Sequence, residues 1–382
     1  MKIGSLLKAV NYFGMADKKK IILAVTTDLN YDQRMQRICD SLCTAAYEVL
    51  LLGREKANSL PLEKQAYQQH RFKLWAQKGP LFYLFFNLRL FLYLIRHRSD
   101  IVCAVDLDTV LAVGLYKRLR PSVKVVFDAH EYFTEVPELQ GKKTIQRVWN
   151  IIGDSFVSGF DAAYTVGPAL ANMFTERYKI DFETIRNLSV LRSSQASQRN
   201  RDPFILYYQG ALNAGRGLEA IIDAMELLDT DCHLHIAGEG DLSESLRALV
   251  REKGLESRVK FLGYLLPGDL QKMLKVASLG LNLLEHKGLS YFYSLANKTF
   301  DYIQADLPAL HMAFPEYIAL QDQWDCFYLQ ESLEPEDLAN SIRQIIRDID
   351  LYEGKQEHCR KAKVSLNWEM ESKALIRIYD SL

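Results

Sequence analysis

Short apolar runs alternate with amphipathic stretches along most of the chain. KIILAVTT (20–27) reads as a short buried strand. DQRMQRICDSLCTAA (32–46) reads as a helix, with Met35, Ile38, Leu42 and Ala45 recurring on one face. YEVLLLG (47–53), DIVCAVD (100–106), KVVFDAH (124–130) and DAAYTV (161–166) are further buried strands, and DIVCAVD and KVVFDAH end in polar residues. RSSQASQRNRDP (192–203) breaks the pattern, lacks large apolar residues and reads as a linker. The alternation then restarts with FILYYQG (204–210), a helix over 218–228, HLHIAG (233–238), a helix over 243–254, VKFLG (259–263), a helix over 268–277 and LGLNLLE (279–285). Strand–helix alternation of this kind predicts α/β architecture: two doubly wound parallel sheets, with ligands beyond the carboxyl ends of the strands.

One of those strand ends carries chemistry. YYQGALNAGRG (207–217) places Gly210, Gly215 and Gly217 between a strand and a helix, with Arg216 among them. Glycines let the backbone turn tightly and approach another group closely. A helix starting there offers free N–H groups and the positive end of its dipole. Arg216 adds a planar fork of donors that fits a phosphate. The competing reading is a plain turn with a solvated arginine.

Composition narrows the class without naming a function. The 382 residues are 48% apolar and 25% charged, as in a soluble globular protein of about two domains. Cysteines 39, 43, 103, 232, 326 and 359 form no CxxC pair and no Cys/His zinc spacing, so they read as reduced thiols in a cytoplasmic protein. The first twenty residues lack the apolar core of a signal peptide and read as an extension before the first strand. The net charge of −1 conceals an asymmetry. Residues 1–200 hold 28 Lys and Arg against 19 Asp and Glu, and the remainder 19 against 29. The basic half suits phosphorylated substrates or an anionic membrane surface. No nucleic-acid-binding motif is present, and no nucleic-acid partner is expected.

Four motifs in the second half carry a resemblance. YQGALNAGRGLEAIIDAM, LHIAGEGDLSESLRALV, VKFLGYL and SLANKTFDYIQADLP, spread over 207–315, resemble in order and spacing the donor-binding domain of retaining glycosyltransferases with the GT-B fold, the large family-four (group 1) type. LNWEMESKALIRIYDSL resembles the helix that crosses back onto the first domain in that fold, and the first half resembles its acceptor domain more loosely. The resemblance implies two Rossmann-like domains facing across a cleft. Residues 1–200 with the helix 363–382 would bind the acceptor, and 201–362 the nucleotide-sugar donor. It implies transfer of a sugar, UDP favoured over GDP, to a hydroxyl of a saccharide or lipid-linked saccharide. Anomeric configuration would be retained, with no metal and no cofactor.

Residue roles follow from the same resemblance. A departing diphosphate needs positive groups, and Arg216 matches the second of the family's two basic residues. Ala211 stands at the first, and Lys298 is the candidate substitute. Gly210 and Gly215 fit the approach of backbone to phosphate. Asp301 stands where the family binds the ribose hydroxyls, with Asn297 in the same SLANK stretch. Tyr293 replaces the family's other glutamate, for which Glu285 is a candidate substitute. Gly238 and Glu239 match the second glycine turn, and Gly263 and Tyr264 the stretch meeting the base. His130, between Asp128 and Glu131, matches a histidine near the reaction centre. Asp32, Arg34 and Glu131 are acceptor-side candidates, although Asp32 also fits a helix cap and Arg34 a solvated side chain. The D-x-D of AVDLDT (104–109) is not read as a metal site. The departures at Ala211 and Tyr293 keep a non-catalytic scaffold of polysaccharide assembly in play, and a nucleotide-sugar epimerase on the same fold is a further alternative.

GPLFYLFFNLRLFLYLIRHRSD (79–100) fits neither pattern cleanly. It is too short and too polar for a secure membrane span. Two readings stand: a helix packed under the first sheet, or an apolar face with a basic end lying at the inner face of an anionic membrane.

Overall fold

A computed structural model describes residues 18–136, 139–193 and 201–382. The amino-terminal extension before Lys18 and positions 194–200 of the expected linker lie outside the described residues. Among the described residues thirteen strands form two sheets. The first holds β1 (Lys20–Ala24), β2 (Glu48–Glu55), β3 (Gln68–Lys73), β4 (Ile101–Val105), β5 (Lys124–Ala129), β6 (Ala162–Thr165) and β7 (Phe182–Thr184) in the order β3-β2-β1-β4-β5-β6-β7. The second holds β8 (Phe204–Gln209), β9 (Cys232–Ala237), β10 (Val259–Gly263), β11 (Leu279–Asn282), β12 (Ala309–Met312) and β13 (Phe327–Gln330) in the order β10-β9-β8-β11-β12-β13. The pairings β1–β2, β1–β4, β8–β9 and β8–β11 are all parallel. The expected α/β fold with two doubly wound sheets is what the chain adopts.

Close contacts divide the chain into two compact units. Counting the described residues only, one lies within Met1–Asp128, Ile152–Ala162 and Ile378–Leu382, and the other within Ala129–Ile151 and Ala163–Arg377.

Within the first unit, β1 and β4 are buried along nearly their whole length, as strands covered on both faces must be. The helix Gln33–Thr44 opens on Asp32, whose carboxylate accepts from the Met35 N–H at 3.1 Å, and it buries Met35, Ile38 and Leu42 as expected. The helix Gly79–Arg96 settles half of the question its sequence posed. Phe82, Phe86, Leu90 and Leu94 are buried. The Asn87 amide donates to the Asp108 carbonyl at 2.7 Å and accepts from the Ala112 N–H at 3.0 Å, anchoring that face to the helix Leu107–Leu119. The opposite face stays exposed. Among the described residues no helix is long and apolar enough to cross a membrane. At the carboxyl end of the chain, Tyr379 packs edge-on to Tyr47, and the Tyr47 hydroxyl donates to Asp380 at 2.5 Å.

In the other unit the strand order reverses between β8 and β11, which makes the carboxyl ends of these strands the expected ligand crevice. The buried Tyr302 hydroxyl lies 3.2 Å from the Tyr207 carbonyl of β8 and 3.1 Å from the Leu281 carbonyl of β11. That places the helix Asn297–Gln304 directly against the reversal.

Candidate functional site

Gly210 ends β8 with φ of 139° and turns the chain off the sheet. Its N–H donates to the Ala237 carbonyl at 2.9 Å, and the Gly238 N–H donates to the Gly263 carbonyl at 2.8 Å. The turns after β8, β9 and β10 are thus laced main chain to main chain. Gly238, with φ of 138°, shows how close the fit is: a Cβ there would lie 1.9 Å from the Gly210 carbonyl oxygen. Gly217 precedes the helix Leu218–Leu227 with φ of 67°, and a Cβ on it would lie 2.0 Å from the Leu283 carbonyl. Among the described residues no side chain caps that helix, which leaves its first N–H groups and the positive end of its dipole beside Arg216.

Two cations converge on this loop. Arg216 is half-buried, its guanidinium carbon 4.8 Å from the Tyr291 ring centroid, and its Nε has no hydrogen-bond partner among the described residues. Lys298, in the first turn of the helix Asn297–Gln304, is 8% exposed. Its Nζ lies 3.7 Å from the Tyr208 ring centroid and would lie 3.4 Å from a Cβ on Gly210. It too has no hydrogen-bond partner among the described residues. Burial, reinforced by the Arg216 charge, holds the Lys298 ammonium well below the ordinary lysine pKa. His311, fully buried and stacked on Tyr317 at 4.6 Å, is likewise pushed down to about 3, first by burial and then by Lys298. It is therefore neutral near physiological pH and adds no charge. A desolvated ammonium is costly without an acceptor, and an anion supplies one.

Asp301 lies one helical turn beyond Lys298. One of its oxygens accepts from Ser189 at 2.7 Å and pairs with Arg192 at 3.4 Å; the other accepts from the Gln209 amide at 2.8 Å. The side-chain Oε1 of Gln209 is buried and has no partner among the described residues. Asn297 is exposed and accepts from Asn187 at 2.7 Å. Gly210, Gly215, Arg216, Lys298 and Asp301 are therefore neighbours around the ends of β8 and β11. Gly238, Glu239, Gly263 and Tyr264 continue the same rim. The Glu239 carboxylate is held by Arg247 at 2.6 Å, while Tyr264 is 75% exposed. Glu285, the candidate for the missing acid at Tyr293, pairs instead with Lys287 at 2.6 Å.

The residues singled out in the first half have different surroundings. His130 follows β5 and is half-buried, with exposed Glu131 next to it. Asp32 caps its helix, as its position suggested, and also accepts from the Thr27 hydroxyl at 2.7 Å. Arg34 is not a solvated side chain. It is buried, and its guanidinium meets the fully buried Asp128 carboxylate at 2.9 Å. Asp108 of the D-x-D accepts from the Thr26 hydroxyl at 2.6 Å. Among the described residues no group of three or more His, Cys, Asp or Glu is placed to hold a metal ion.

Comparison with known proteins decides the family. Residues 33–188 match the family described as Glycosyltransferase Family 4, and residues 191–296 match Glycosyl transferases group 1. HepE from Anabaena, solved with UDP and glucose, superposes with a TM-score of 0.75 at 15% identity over 95% of this chain and 100% of its own. Sucrose-phosphate synthase from Thermosynechococcus elongatus superposes at 0.76 and 16% identity, covering 95% and 99%. WaaG, a glycosyltransferase involved in lipopolysaccharide biosynthesis, superposes at 0.72 and 14% identity, covering 94% and 99%. The chain belongs to the group 1 glycosyltransferases, on the GT-B fold. No curated protein matches its sequence.

Seen in this glycosyltransferase, several neighbours of the site carried no signal in the sequence. Tyr208 and Tyr291 look like core aromatics, yet they face the two cations. Ser189 and Arg192 adjoin or lie within a stretch that reads as linker, yet they hold Asp301. Gln209 was the one findable residue, because a polar side chain ending an apolar strand usually faces the ligand edge of such a sheet.

Proposed function

We infer that this glycosyltransferase moves a sugar from a nucleotide-sugar donor, UDP favoured over GDP, to a hydroxyl of a saccharide or lipid-linked saccharide. The observation that carries the reading is the buried, unpartnered Lys298 ammonium beside Arg216 and a glycine turn. A diphosphate supplies the missing acceptor. Support for the nucleotide comes from HepE, which was solved with UDP and with UDP-glucose.

In this reading Lys298 and Arg216 hold the two phosphates while negative charge develops on the departing oxygen. The N–H groups of Gly210, Gly215 and the helix start approach the same oxygens. Asp301, already oriented by Ser189 and Gln209, accepts from the ribose hydroxyls, with Asn297 alongside. Tyr264 and Gly263 meet the base, and Gly238 and Glu239 shape the rim next to them. The bond from the anomeric carbon to the phosphate oxygen breaks, and the acceptor hydroxyl oxygen forms the new bond on the same face. The acceptor proton passes to the leaving phosphate. His130 donates a hydrogen bond to the sugar or acceptor at that step. Glu131 and Asp32 contact the acceptor, and Arg34 contributes by holding Asp128. The charge on the phosphates is met by Lys298 and Arg216, so no metal and no cofactor is required. The enzyme works in the cytoplasm, in peripheral contact with an anionic membrane.

A thermal-shift panel of UDP, GDP, ADP and CMP, with and without magnesium, tests this on wild type, Arg216→Ala and Lys298→Met. A ligand at a hundred times its Kd stabilises by about 2.7 kcal/mol. The expected result is a magnesium-independent shift with UDP that both variants lose. No shift with any nucleotide would leave a scaffold that binds no donor.

A further inference from the structure

The helix Gly79–Arg96 is apolar on both sides, and only one side is used inside the protein. Leu81, Leu84, Leu88, Leu92 and Ile95 point outward, each 37% to 56% exposed. Their offsets of 3, 7, 11 and 14 residues put them in one continuous stripe along the helix. The Asn87 bonds to Asp108 and Ala112 fix the rotation of the helix, so the stripe cannot roll inward. Trp75, just before the helix, is 86% exposed and stands edge-on to Phe85 at 6.3 Å. An apolar stripe of this extent on a soluble fold marks a surface that something covers.

Charge says what covers it. From Lys64 to Ser99 the chain contains no Asp or Glu, whereas Lys64, Arg71, Lys73, Lys78, Arg89, Arg96 and Arg98 are positive. Arg71 is taken up by Asp28 at 3.0 Å. Lys73, Lys78, Arg89, Arg96 and Arg98 are exposed; Lys78 stands just before the helix, Arg89 next to Leu88 within it, and Arg96 and Arg98 at its end. A second copy of the chain docked on this face would bring two such cationic rims together, which like-charge repulsion opposes. A spanning orientation is excluded by the packed inner face and by Arg89 at mid-helix.

We propose that the outward face of the Gly79–Arg96 helix lies in the plane of an anionic bilayer surface. The leucine stripe and Trp75 enter the acyl–headgroup boundary, and the five cations meet lipid phosphates. The proposal stands independently of the donor site, because none of these residues belongs to it.

The test is co-sedimentation of the full chain with two vesicle types, one of phosphatidylcholine alone and one also containing phosphatidylglycerol. Wild type is expected to pellet with the second and to stay in solution with the first, and added salt weakens the binding. Leu84→Glu with Leu88→Glu is expected to weaken vesicle binding about tenfold or more while leaving the melting temperature and any nucleotide shift unchanged. Leu88→Gln, the milder variant, gives a smaller loss if the double variant folds poorly. Trp75 emission shifts to the blue on binding, a change that Trp75→Phe removes. Failure to pellet with phosphatidylglycerol vesicles overturns the proposal, as does equal pelleting with both lipids or full binding by the Leu84/Leu88 double variant. A dimer in sedimentation velocity that the double variant dissolves would also overturn it, because the covering partner would then be a second copy.

Discussion

The Lys298 ammonium lies 3.7 Å from the centre of the Tyr208 ring, which faces it in place of a counter-ion. The ring face offers some compensation through its quadrupole, but far less than a carboxylate or phosphate would. The protein therefore maintains a cation whose best partner is not found among its described residues. Replacing the lysine by an apolar side chain of similar length removes that cost. Lys298→Met is expected to range from neutral to about 2 kcal/mol more stable than wild type in urea unfolding without ligand. The same variant loses the UDP-dependent thermal shift. A clearly less stable Lys298→Met protein would mean that the ammonium already has a partner.

Proton exchange should accompany ligand binding. Burial lowers the Lys298 pKa in the free protein, and a bound diphosphate favours the charged form and restores it. Between those two values, binding takes up a proton, so affinity falls as pH rises through that interval, by up to about tenfold per pH unit. Free-protein stability moves the other way. A lysine whose folded value is depressed costs stability below its unfolded value, and the cost fades as pH rises toward it. Titration calorimetry of UDP in buffers of different ionisation enthalpy measures the uptake. Wild type should show it and Lys298→Met should not; equal slopes for the two would sink the assignment.

Gly238→Ala tests whether the glycine turns are structural necessities. The added methyl carbon would lie 1.9 Å from the Gly210 carbonyl, in a backbone region that L residues rarely adopt. Both effects act against the variant, and a loss of about 3 kcal/mol or more is expected. Nucleotide binding should fall with it, because Gly210 cannot keep its place. Near-wild-type stability would show that the β8 and β9 turns separate easily.

Arg34→Ala should damage stability more than catalysis. It leaves the fully buried Asp128 carboxylate without its guanidinium partner, a change that typically costs about 3–5 kcal/mol. Chemical denaturation measures the loss. A stable variant with lowered turnover would instead place Arg34 against the acceptor.

Legibility from sequence differed between the two sheets. The central strands β1, β4 and β8 announced themselves as mostly apolar runs, because a strand covered on both faces has little polar side to show. The edge strand β3, QQHRFK, did not, since half of its positions face water. β7, with three residues, is too short to carry a period. The helix Gly79–Arg96 was ambiguous for the opposite reason. A segment apolar all round does not record which side is packed, and only the Asn87 bonds decide it.

By itself the sequence determined the alternation of strands and helices, the glycine turn at 207–217 and the positions of Arg216, Lys298 and Asp301 along the chain. These are local properties: periodicity, backbone freedom and side-chain type. The tertiary structure decided which of them meet. Lys298 reaches the Gly210 turn because the helix Asn297–Gln304 packs against the β8–β11 reversal. Asp301 is oriented by Ser189 and Gln209, which are 112 and 92 positions away in the chain. Arg34 of the helix Gln33–Thr44 became a core residue because Asp128 arrives on β5. Proximity and burial depend on contacts between distant segments, and these set the charge state of Lys298 and the partners of Asp301.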